Sequence, residues 1–218
     1  MKIFAIVPVK RFDRAKSRLG MLLNKHERMQ LSTLLLKRTV RILESSTSVK
    51  KIVLVSSDVY AEKVARTCGA VFLKEKIQCG VNSAVDTADK FCAAAGADAT
   101  IVLPVDLPLL LPDDIDIVCN AALTENPCII LCPSYKFDGS NILLRKPCNI
   151  IKTSYDANSY LMHVLEGIRS DIKTRVLFNN RLMIDIDTVQ DITAFLKINK
   201  TDKQISGYLK AALARRRL

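Results

Sequence analysis

Short apolar runs alternate with helix-patterned stretches through the first part of the chain. Residues 3–9, 51–57 and 71–73 have the length and apolar content of buried strands. Between them, residues 22–44 carry apolar side chains at roughly a 3.6 period, which predicts one helix or two short ones, and residues 58–66 are predicted to form another helix. This β-α-β-α-β order predicts a parallel sheet with right-handed crossovers.

The same alternation continues to the end of the chain. Asn24, with Glu27 three residues later, predicts a capping box at the first helix. Residues 182–188 alternate between apolar and polar side chains, which predicts a strand with Asp185 and Asp187 on one face. The further predicted strands are residues 100–106, 128–132, 142–145 and 175–178, and the further predicted helices are residues 83–95, 113–123, 159–169, 190–197 and 204–215.

Length and composition favour one soluble domain over residues 1–218. A chain of 218 residues is large enough to bury a core, and its 49% hydrophobic and 25% charged content is ordinary. No apolar run reaches the length of about 18 residues that a membrane span needs. The N-terminus lacks the features of a signal peptide, so a cytoplasmic location is expected.

Seven cysteines are scattered along the chain without a CxxC pair. Cys128 and Cys132 lie at even spacing in an apolar run and should point to one face of a strand. Free cysteine behaves as a small hydrophobic residue, so these thiols are expected in the core. A zinc site would need more Cys and His at ligand spacing.

The net charge of +11 is compatible with two kinds of anionic partner, nucleic acid or a small polyanion such as a nucleoside triphosphate. Aromatic residues make up only 6% of the chain, there is no Trp, and no RNA-binding signature is present. A specific nucleic-acid partner is therefore not expected. The terminal Arg215, Arg216 and Arg217 are interpreted first as a solvated helix end and second as a nucleic-acid patch.

The loop after the first strand is strongly basic, with five cations in nine positions. Such a loop lies at the carboxyl end of the sheet, where open α/β folds bind ligands. The alternative is a solvated basic loop. Lys10 and Lys16 are the strongest candidates for phosphate contacts, whereas Arg11 and Arg14 are expected at the surface. Residues 8–19 contain no Gly, so side-chain cations would have to replace a backbone phosphate cradle.

Three aspartates occupy positions that suit a hard metal ion. Asp106 follows an apolar strand, and Asp185 and Asp187 are two residues apart. Neighbouring carboxylates repel each other unless a positive charge lies between them, and Mg²⁺ favours a few carboxylates together with phosphate oxygens. The alternatives are a turn or helix-capping role for Asp106 and a solvent-facing edge strand for the other two.

Two polar segments later in the chain are candidate phosphate sites. The turn 139–141 can offer backbone N–H groups and the Ser140 hydroxyl, or it is a plain hairpin turn. Ser159 begins a predicted helix, as an anion site or an ordinary cap, and His163 lies on the same helix face. The chain lacks the sequence signatures of a P-loop NTPase, a Rossmann dehydrogenase and a serine hydrolase.

Several motifs occur in one order over nearly the whole chain. They are Pro8-Val9-Lys10 with residues 15–19, Leu103-Pro104-Val105-Asp106-Leu107-Pro108, Asp138-Gly139-Ser140-Asn141 and Ile184-Asp185-Ile186-Asp187-Thr188. In this order they resemble the 2-phospho-L-lactate guanylyltransferase family (CofC), some members of which use phosphoenolpyruvate. The resemblance implies an α/β, three-layer GT-A/MobA-like nucleotidyltransferase fold, with a mixed, mostly parallel sheet flanked by helices.

The resemblance also implies roles for individual residues. Asp106, Asp185 and Asp187 match the aspartates that hold Mg²⁺, the expected cofactor. Asp106 and Lys10 are the expected catalytic residues. Positions around the substrate phosphate are matched by Lys10, Ser140 and Ser159.

The resemblance also implies which residues bind the nucleotide. Lys16 and Arg18 are expected to hold the triphosphate, and Asn82 matches a family position near the nucleotide. One departure falls in the substrate-phosphate site, where Asp156 stands in place of a family Gly. This replacement removes backbone flexibility and adds a negative charge, so it leaves the identity of the acceptor in question.

The reaction that the resemblance implies is transfer of GMP from GTP to the phosphate of 2-phospho-L-lactate or phosphoenolpyruvate, with release of pyrophosphate, in coenzyme F-420 biosynthesis. The product would pass to a downstream deazaflavin transferase. The alternatives are a sugar-phosphate or molybdopterin-type nucleotidyltransferase and a basic nucleic-acid-binding protein. The sequence leaves open which phosphoacid is the acceptor, with 3-phosphoglycerate as a third alternative. It also leaves open the base of the nucleotide and the oligomeric state, for which a homodimer is one alternative.

Overall fold

Seven strands pair into one mixed sheet in the computed structural model, which describes residues 1–199 and 202–216. The sheet order is β3-β2-β1-β4-β6-β5-β7, in which β6 is antiparallel to β4 and β5 and the other pairs are parallel. The predicted mixed, mostly parallel sheet is confirmed. The strands are β1 (Ile3–Pro8), β2 (Val49–Ser56), β3 (Val71–Lys74), β4 (Ala99–Val102), β5 (Cys128–Pro133), β6 (Ser140–Lys146) and β7 (Lys173–Val176).

Helices connect most of the strands and cover the sheet. Among the described residues, no helix is both long and apolar enough to cross a membrane. A short 3-10 helix also forms at Ser17–Leu19, after β1. The helices are α1 (Lys25–Ser45), α2 (Val59–Thr67), α3 (Val81–Ala94), α4 (Pro112–Ala121), α5 (Ser159–Arg169), α6 (Asn180–Met183), α7 (Val189–Ile198) and α8 (Lys203–Arg216).

The alternating faces of β1 show how the layers are built. Ile3, Ala5 and Val7 belong to a core cluster that also contains apolar residues of α1, α2 and α4. Phe4 and Ile6 point the other way, into a cluster with the apolar residues of α3. Because side chains alternate along a strand, one apolar run can supply both cores. The result is the expected three-layer arrangement, with the sheet between two helical layers.

A third apolar cluster supports one end of the sheet. It joins Leu19, after the basic loop, to residues of α1, α7 and α8, and it includes the fully buried Ile186. Ile186 lies between Asp185 and Asp187, so this cluster anchors the acidic segment from beneath.

The first helix begins where its capping pattern predicts. The Asn24 side chain accepts a hydrogen bond from the backbone N–H of Glu27 at 2.9 Å, and the Glu27 carboxylate accepts one from the N–H of Asn24 at 2.8 Å. These two bonds satisfy N–H groups that the helix itself leaves unpaired. The capping box is confirmed, and α1 begins at Lys25.

One predicted strand is wrong and another is shorter than predicted. Residues 182–188 do not form a strand, because Leu182 and Met183 end the short helix α6 and their carbonyl groups accept hydrogen bonds from the Asn141 amide. The alternation of burial is nevertheless present in the extended chain that follows. β4 ends at Val102, since Pro104 has no N–H to continue the ladder, and Asp106 therefore lies in a loop.

All seven cysteines are free thiols. Cys128 and Cys132 are buried on one face of β5, as predicted, and Cys92 and Cys119 are also buried. The prediction of a core position is wrong for Cys79, which is exposed in the loop between β3 and α3.

The basic C-terminus is described only in part. Arg215 forms an ion pair with Glu27 at 2.7 Å and stays about half exposed, which agrees with a solvated helix end. Arg217 lies outside the described residues, so the nucleic-acid alternative for this tail stays a prediction.

Candidate active site

A cavity of about 650 Å³ runs along the carboxyl ends of the parallel strands. It extends from the loop after β3, across the loops after β1 and β4, to the start of β6. The first residue of β6 reaches this edge because β6 is antiparallel to its neighbours. The lining includes Lys10, Lys16, Arg18, Asp106, Ser140, Ser159, Asp185 and Asp187. Eight residues that the sequence singled out therefore meet in one place.

The basic loop is folded by contacts near its beginning. The Ser56 hydroxyl donates to the carbonyl of Val9 at 2.7 Å, and the N–H of Phe12 donates to the Asp58 carboxylate at 2.8 Å. The Phe12 ring is almost fully buried in the core. The loop is thus anchored at β2 and at the N-terminus of α2, so the backbone that carries its cations is held in place.

Lys16 lies between two of the predicted metal ligands. Its Nζ is 2.6 Å from Oδ2 of Asp106 and 2.9 Å from Oδ1 of Asp187, and its side chain is only 6% exposed. The Lys16 backbone adopts the left-handed conformation, at φ 55°, which ends the loop before the 3-10 helix. The ammonium therefore supplies the positive charge that these neighbouring carboxylates require.

The ionisation of the cluster follows from this arrangement. Burial alone would lower the pKa of Lys16, but the two carboxylates outweigh it and the pKa is raised. Asp187 is affected in the opposite sense, because Lys16 outweighs the effect of burial and lowers its pKa. Burial, together with the charges of Asp106 and Asp187, raises the pKa of Asp185 to about 7.

Backbone contacts hold the acidic residues next to each other. The Thr39 hydroxyl of α1 donates to the carbonyl of Val105 at 3.1 Å, and the N–H of Ile186 donates to the carbonyl of Asp106 at 3.1 Å. The Asp191 carboxylate of α7 accepts from the N–H of Asp187 at 3.1 Å. The loop after β4 and the segment before α7 therefore lie side by side.

Two observations bear on whether these residues suit a metal ion. Oδ1 of Asp106 is buried and has no hydrogen-bond partner, as expected of an oxygen that is free to bind a cation, and carboxylate oxygens are the donors that Mg²⁺ prefers. Among residues 1–199 and 202–216, however, no three carboxylates, imidazoles or thiols are already arranged around a common metal position. The oxygen donors fit Mg²⁺, but the Lys16 ammonium would have to move away from the Asp106 or Asp187 carboxylate to make room for the ion.

The remaining cations of the basic loop differ in position. Lys10 is exposed and lines the cavity, and Arg18 reaches to 4.0 Å from the Asp187 carboxylate while staying mostly exposed. Arg11 forms an ion pair with Asp13 at the surface, as expected. Arg14 is also exposed, but it belongs to the cavity lining, where only a surface position was expected.

Two hydroxyl groups lie together at the β6 end of the cavity. The backbone N–H of Ser140 donates to the Ser159 hydroxyl at 2.8 Å, and both side chains are largely buried. Ser159 is the first residue of α5, and the Asn158 side chain makes no capping hydrogen bond there. The turn 139–141 and the N-terminus of α5 therefore form one polar surface, which suits the predicted phosphate contact.

Asn82 and Asp156 lie outside the lining of this cavity. The Asn82 amide donates to the Asp156 carboxylate at 2.9 Å, and its carbonyl oxygen accepts from the N–H of Tyr155 at 2.8 Å. Their observed role is to tie the first turn of α3 to the loop before α5. The nucleotide contact predicted for Asn82 and the phosphate contact predicted for Asp156 stay predictions.

Sequence reasoning missed several residues that line the cavity. Glu75, Gln78 and Tyr155 all line it. Glu75 and Gln78 could have been found, since they lie in the loop that follows β3 at the same edge of the sheet. His163, whose role the sequence left open, is fully buried behind Ser140.

The fold is similar to that of solved nucleotidyltransferases, among them one of the nucleotide-diphospho-sugar transferase type. A putative nucleotide-diphospho-sugar transferase from Desulfovibrio desulfuricans superposes with a TM-score of 0.78 at 16% identity, covering 100% of this chain and 98% of that chain. A cytidylyltransferase from Leptospira borgpetersenii gives 0.61 at 13% identity, over 100% and 95%. At these identities the likeness shows the shared fold.

Sequence similarity identifies the family. The chain belongs to the guanylyl transferases described as CofC like, which it matches over residues 1–214. It is 32% identical to the phosphoenolpyruvate guanylyltransferase of Rubrobacter xylanophilus, over 88% of this chain and 92% of that protein. It is 27% identical to the 2-phospho-L-lactate guanylyltransferase of Methanobrevibacter smithii, over 95% and 89%. The resemblance in the sequence motifs is thereby confirmed.

Proposed function

We propose that this protein transfers GMP from GTP to the phosphate of a small phosphoacid, phosphoenolpyruvate or 2-phospho-L-lactate, and releases pyrophosphate. One observation carries the proposal. A single cavity joins the cluster of Lys16, Asp106 and Asp187 to the neighbouring hydroxyls of Ser140 and Ser159. Family membership and the names of the two relatives support the same reaction class.

In this reaction a phosphate oxygen of the acceptor attacks the α-phosphorus of GTP. A new P–O bond forms, the bond between the α-phosphorus and the bridging oxygen breaks, and pyrophosphate leaves with that electron pair. The attacking phosphate is already ionised near neutral pH, so no general base is required. The protein's contribution is to bring two anions together and to offset their repulsion.

The charges around the cavity suit this task. Lys10, Arg14 and Arg18 are exposed cations at the loop after β1, where a triphosphate would meet them. Ser140 and Ser159 offer hydroxyl donors to the acceptor phosphate at the β6 end. Lys10 lines the same cavity and would contact both phosphates.

Asp106, Asp185 and Asp187 would hold Mg²⁺ in this scheme. When bound, the ion supplies charge neutralisation at the reacting phosphates. Lys16 would then shift its ammonium from the carboxylates toward the phosphates. The buried and unpartnered Oδ1 of Asp106 supports this assignment.

The geometry also favours one orientation for the nucleotide. The loop after β3 brings Glu75 to the end of the cavity opposite Ser140. Burial raises the pKa of Glu75, and the opposing influence is the Gln78 side chain rather than a cation. A carboxylate there would repel a phosphate, so the base is the part of GTP that fits beside it. Guanine presents two adjacent N–H donors, which suits a carboxylate acceptor.

The test is a pyrophosphate-release assay with purified full-length protein and Mg²⁺. GTP, ATP, CTP and UTP are each combined with phosphoenolpyruvate, 2-phospho-L-lactate and 3-phosphoglycerate, with a sugar phosphate as a further acceptor. We expect release with GTP and one or both of the first two acids. Coupling to a deazaflavin transferase of the coenzyme F-420 pathway would capture a short-lived product.

Variants make the assay specific to the site. Asp106→Asn and Asp187→Asn should each lose most turnover while remaining folded, whereas Asp113→Asn, at an exposed position on α4, should retain it. Near-wild-type rates for both site variants at saturating Mg²⁺ would contradict the metal assignment. Release only with a sugar phosphate, or salt-sensitive RNA binding without any release, would support one of the two alternative functions instead.

A further inference from the structure

His163 is buried directly behind the phosphate-facing hydroxyls, and both of its ring nitrogens are engaged. Nδ1 is 2.9 Å from the Ser140 hydroxyl oxygen. Nε2 accepts a hydrogen bond from the backbone N–H of Ser154 at 2.9 Å. The Tyr155 ring packs edge-on against the imidazole, with 4.9 Å between ring centroids.

These two contacts determine which nitrogen carries the hydrogen. A backbone N–H can only donate, so Nε2 must be an unprotonated acceptor. In a neutral imidazole the other nitrogen then carries the hydrogen, and Nδ1–H donates to the Ser140 oxygen. Burial, together with the charge of Arg145, lowers the pKa of His163 to about 4, so the ring is neutral near pH 7.

The direction of this bond fixes what the Ser140 hydroxyl can do. Its oxygen receives a hydrogen from His163, so its own hydrogen is left to donate elsewhere. Ser140 lines the cavity, and an ionised phosphate offers only acceptors. Without the imidazole N–H, the hydroxyl could turn its hydrogen inward and present a lone pair to the phosphate.

The close packing of α5 on the sheet holds this arrangement in place. Gly167 lies against Thr174 of β7, where any larger residue would clash with the threonine side chain. This approach seats Ser159 and His163, one helical turn apart, against the first residue of β6. Ser159 accepts from the N–H of Ser140, so its hydroxyl is also left to donate.

We propose that His163 is a positioning residue, which orients the Ser140 hydroxyl as a hydrogen-bond donor to the phosphate of the acceptor substrate. The inference rests on the proposed function for the identity of that substrate. The direction of the hydrogen bonds does not depend on it. His163 itself does not touch the reacting atoms.

The tautomer can be measured in the wild-type protein without any activity. The chain contains two histidines, so a long-range ¹H–¹⁵N spectrum of histidine-labelled protein has only two imidazole patterns, and His26→Asn assigns them. We expect His163 to show protonated Nδ1 and unprotonated Nε2 at pH 7. A protonated Nε2 would overturn the inference.

Kinetics then test the link to Ser140. His163→Gln places an acceptor near Nε2 but loses the Nδ1–H donor, whereas His163→Asn keeps a donor near Nδ1. We expect His163→Gln to raise KM for the phosphoacid about tenfold, the usual scale for a hydrogen bond to a charged group, with KM for GTP unchanged. His163→Asn should keep KM for the phosphoacid close to the wild-type value.

The decisive comparison uses Ser140→Ala. If His163 acts through the Ser140 hydroxyl, adding His163→Gln to Ser140→Ala should raise KM no further. An equal increase in both backgrounds would indicate general structural damage and overturn the inference. If the wild-type protein releases no pyrophosphate with either acid, the proposed function fails and the phosphate-directed role of His163 fails with it, whereas the spectrum still decides the tautomer.

Discussion

At the scale of single residues, Lys16 and Asp185 determine the charge state of the cavity. Lys16 neutralises part of the charge on Asp106 and Asp187 through two short contacts. Asp185 lacks such a contact with Lys16, and burial beside the two charged carboxylates raises its pKa to about 7. Near neutral pH the site is thus partly protonated, and a cation that binds there would promote full ionisation.

The sequence predicted the meeting of these aspartates but not the position of Lys16. Asp106 was expected at the carboxyl edge of the sheet because it follows a strand, and Asp185 and Asp187 were expected side by side on one face of their segment. The segments that contain the three aspartates do meet at that edge. The bridge made by Lys16 depends on its left-handed backbone and on burial under the loop. Neither of these features is visible in a run of cations.

Replacement of Glu75 tests the proposed orientation of the nucleotide. In Glu75→Gln the side chain can accept from only one of the two guanine donors, so kcat/KM for GTP should fall about tenfold or more. ITP lacks the guanine amino group, so wild-type protein should prefer GTP over ITP, and this preference should shrink in the variant. Pyrophosphate release with both nucleotides measures the two effects.

A matched control separates base selection from loss of charge. Glu44→Gln removes a carboxylate from an exposed position on α1 and should leave the preference for GTP unchanged. An unaltered GTP/ITP ratio in Glu75→Gln would show that the base binds elsewhere in the cavity.

At the scale of elements, apolar periodicity predicted most helices and strands because burial decides them. The strand ends were harder, since they depend on individual hydrogen bonds. β4 ends before the loop that contains Asp106. The alternating segment 184–188 is held by the hydrogen bond from the N–H of Ile186 to the carbonyl of Asp106 and by the core, and not by a neighbouring strand. The predicted pattern of inward and outward side chains was right for residues 184–187, which is why Asp185 and Asp187 were found as a pair.

The buried pair of Arg145 and Asp89 joins β6 to α3. Two hydrogen bonds of 2.8 and 2.6 Å connect the side chains, and Arg145 is fully buried. Burial outweighs the influence of Arg145 and raises the pKa of Asp89, so desolvation offsets much of the attraction. We expect Asp89→Asn to lower the free energy of unfolding by about 3 kcal/mol, because it leaves a buried charge uncompensated.

Chemical denaturation of a small set of variants measures this cost. Asp86→Asn, on the same helix, breaks an exposed ion pair with Lys90 and should change the stability by less than about 0.5 kcal/mol. The combination of Asp89→Leu with Arg145→Met should recover much of the loss. Equal losses of unfolding free energy for Asp86→Asn and Asp89→Asn would show that burial does not make the Arg145–Asp89 pair more costly to break than an exposed pair.

At the scale of the whole molecule, stability should depend on pH through the buried imidazole of His163. Burial lowers its pKa to about 4 in the folded protein, from 6.5 when exposed. As the pH falls below 6.5, the unfolded chain takes up a proton that the folded protein refuses. Stability is therefore complete above pH 6.5 and declines as the pH falls toward 4, by about 3 kcal/mol for this group.

Other groups also titrate in this range, so the comparison must be between variants. Urea unfolding of wild-type protein and His163→Gln at pH 7.5 and 4.5 isolates the contribution, because Gln has no proton to gain. The variant should be less stable at pH 7.5 but should lose less on acidification. His26→Gln, at an exposed position on α1, should follow the wild-type curve. Parallel losses in wild-type protein and His163→Gln would mean that the imidazole is as easily protonated in the folded protein as in the unfolded chain.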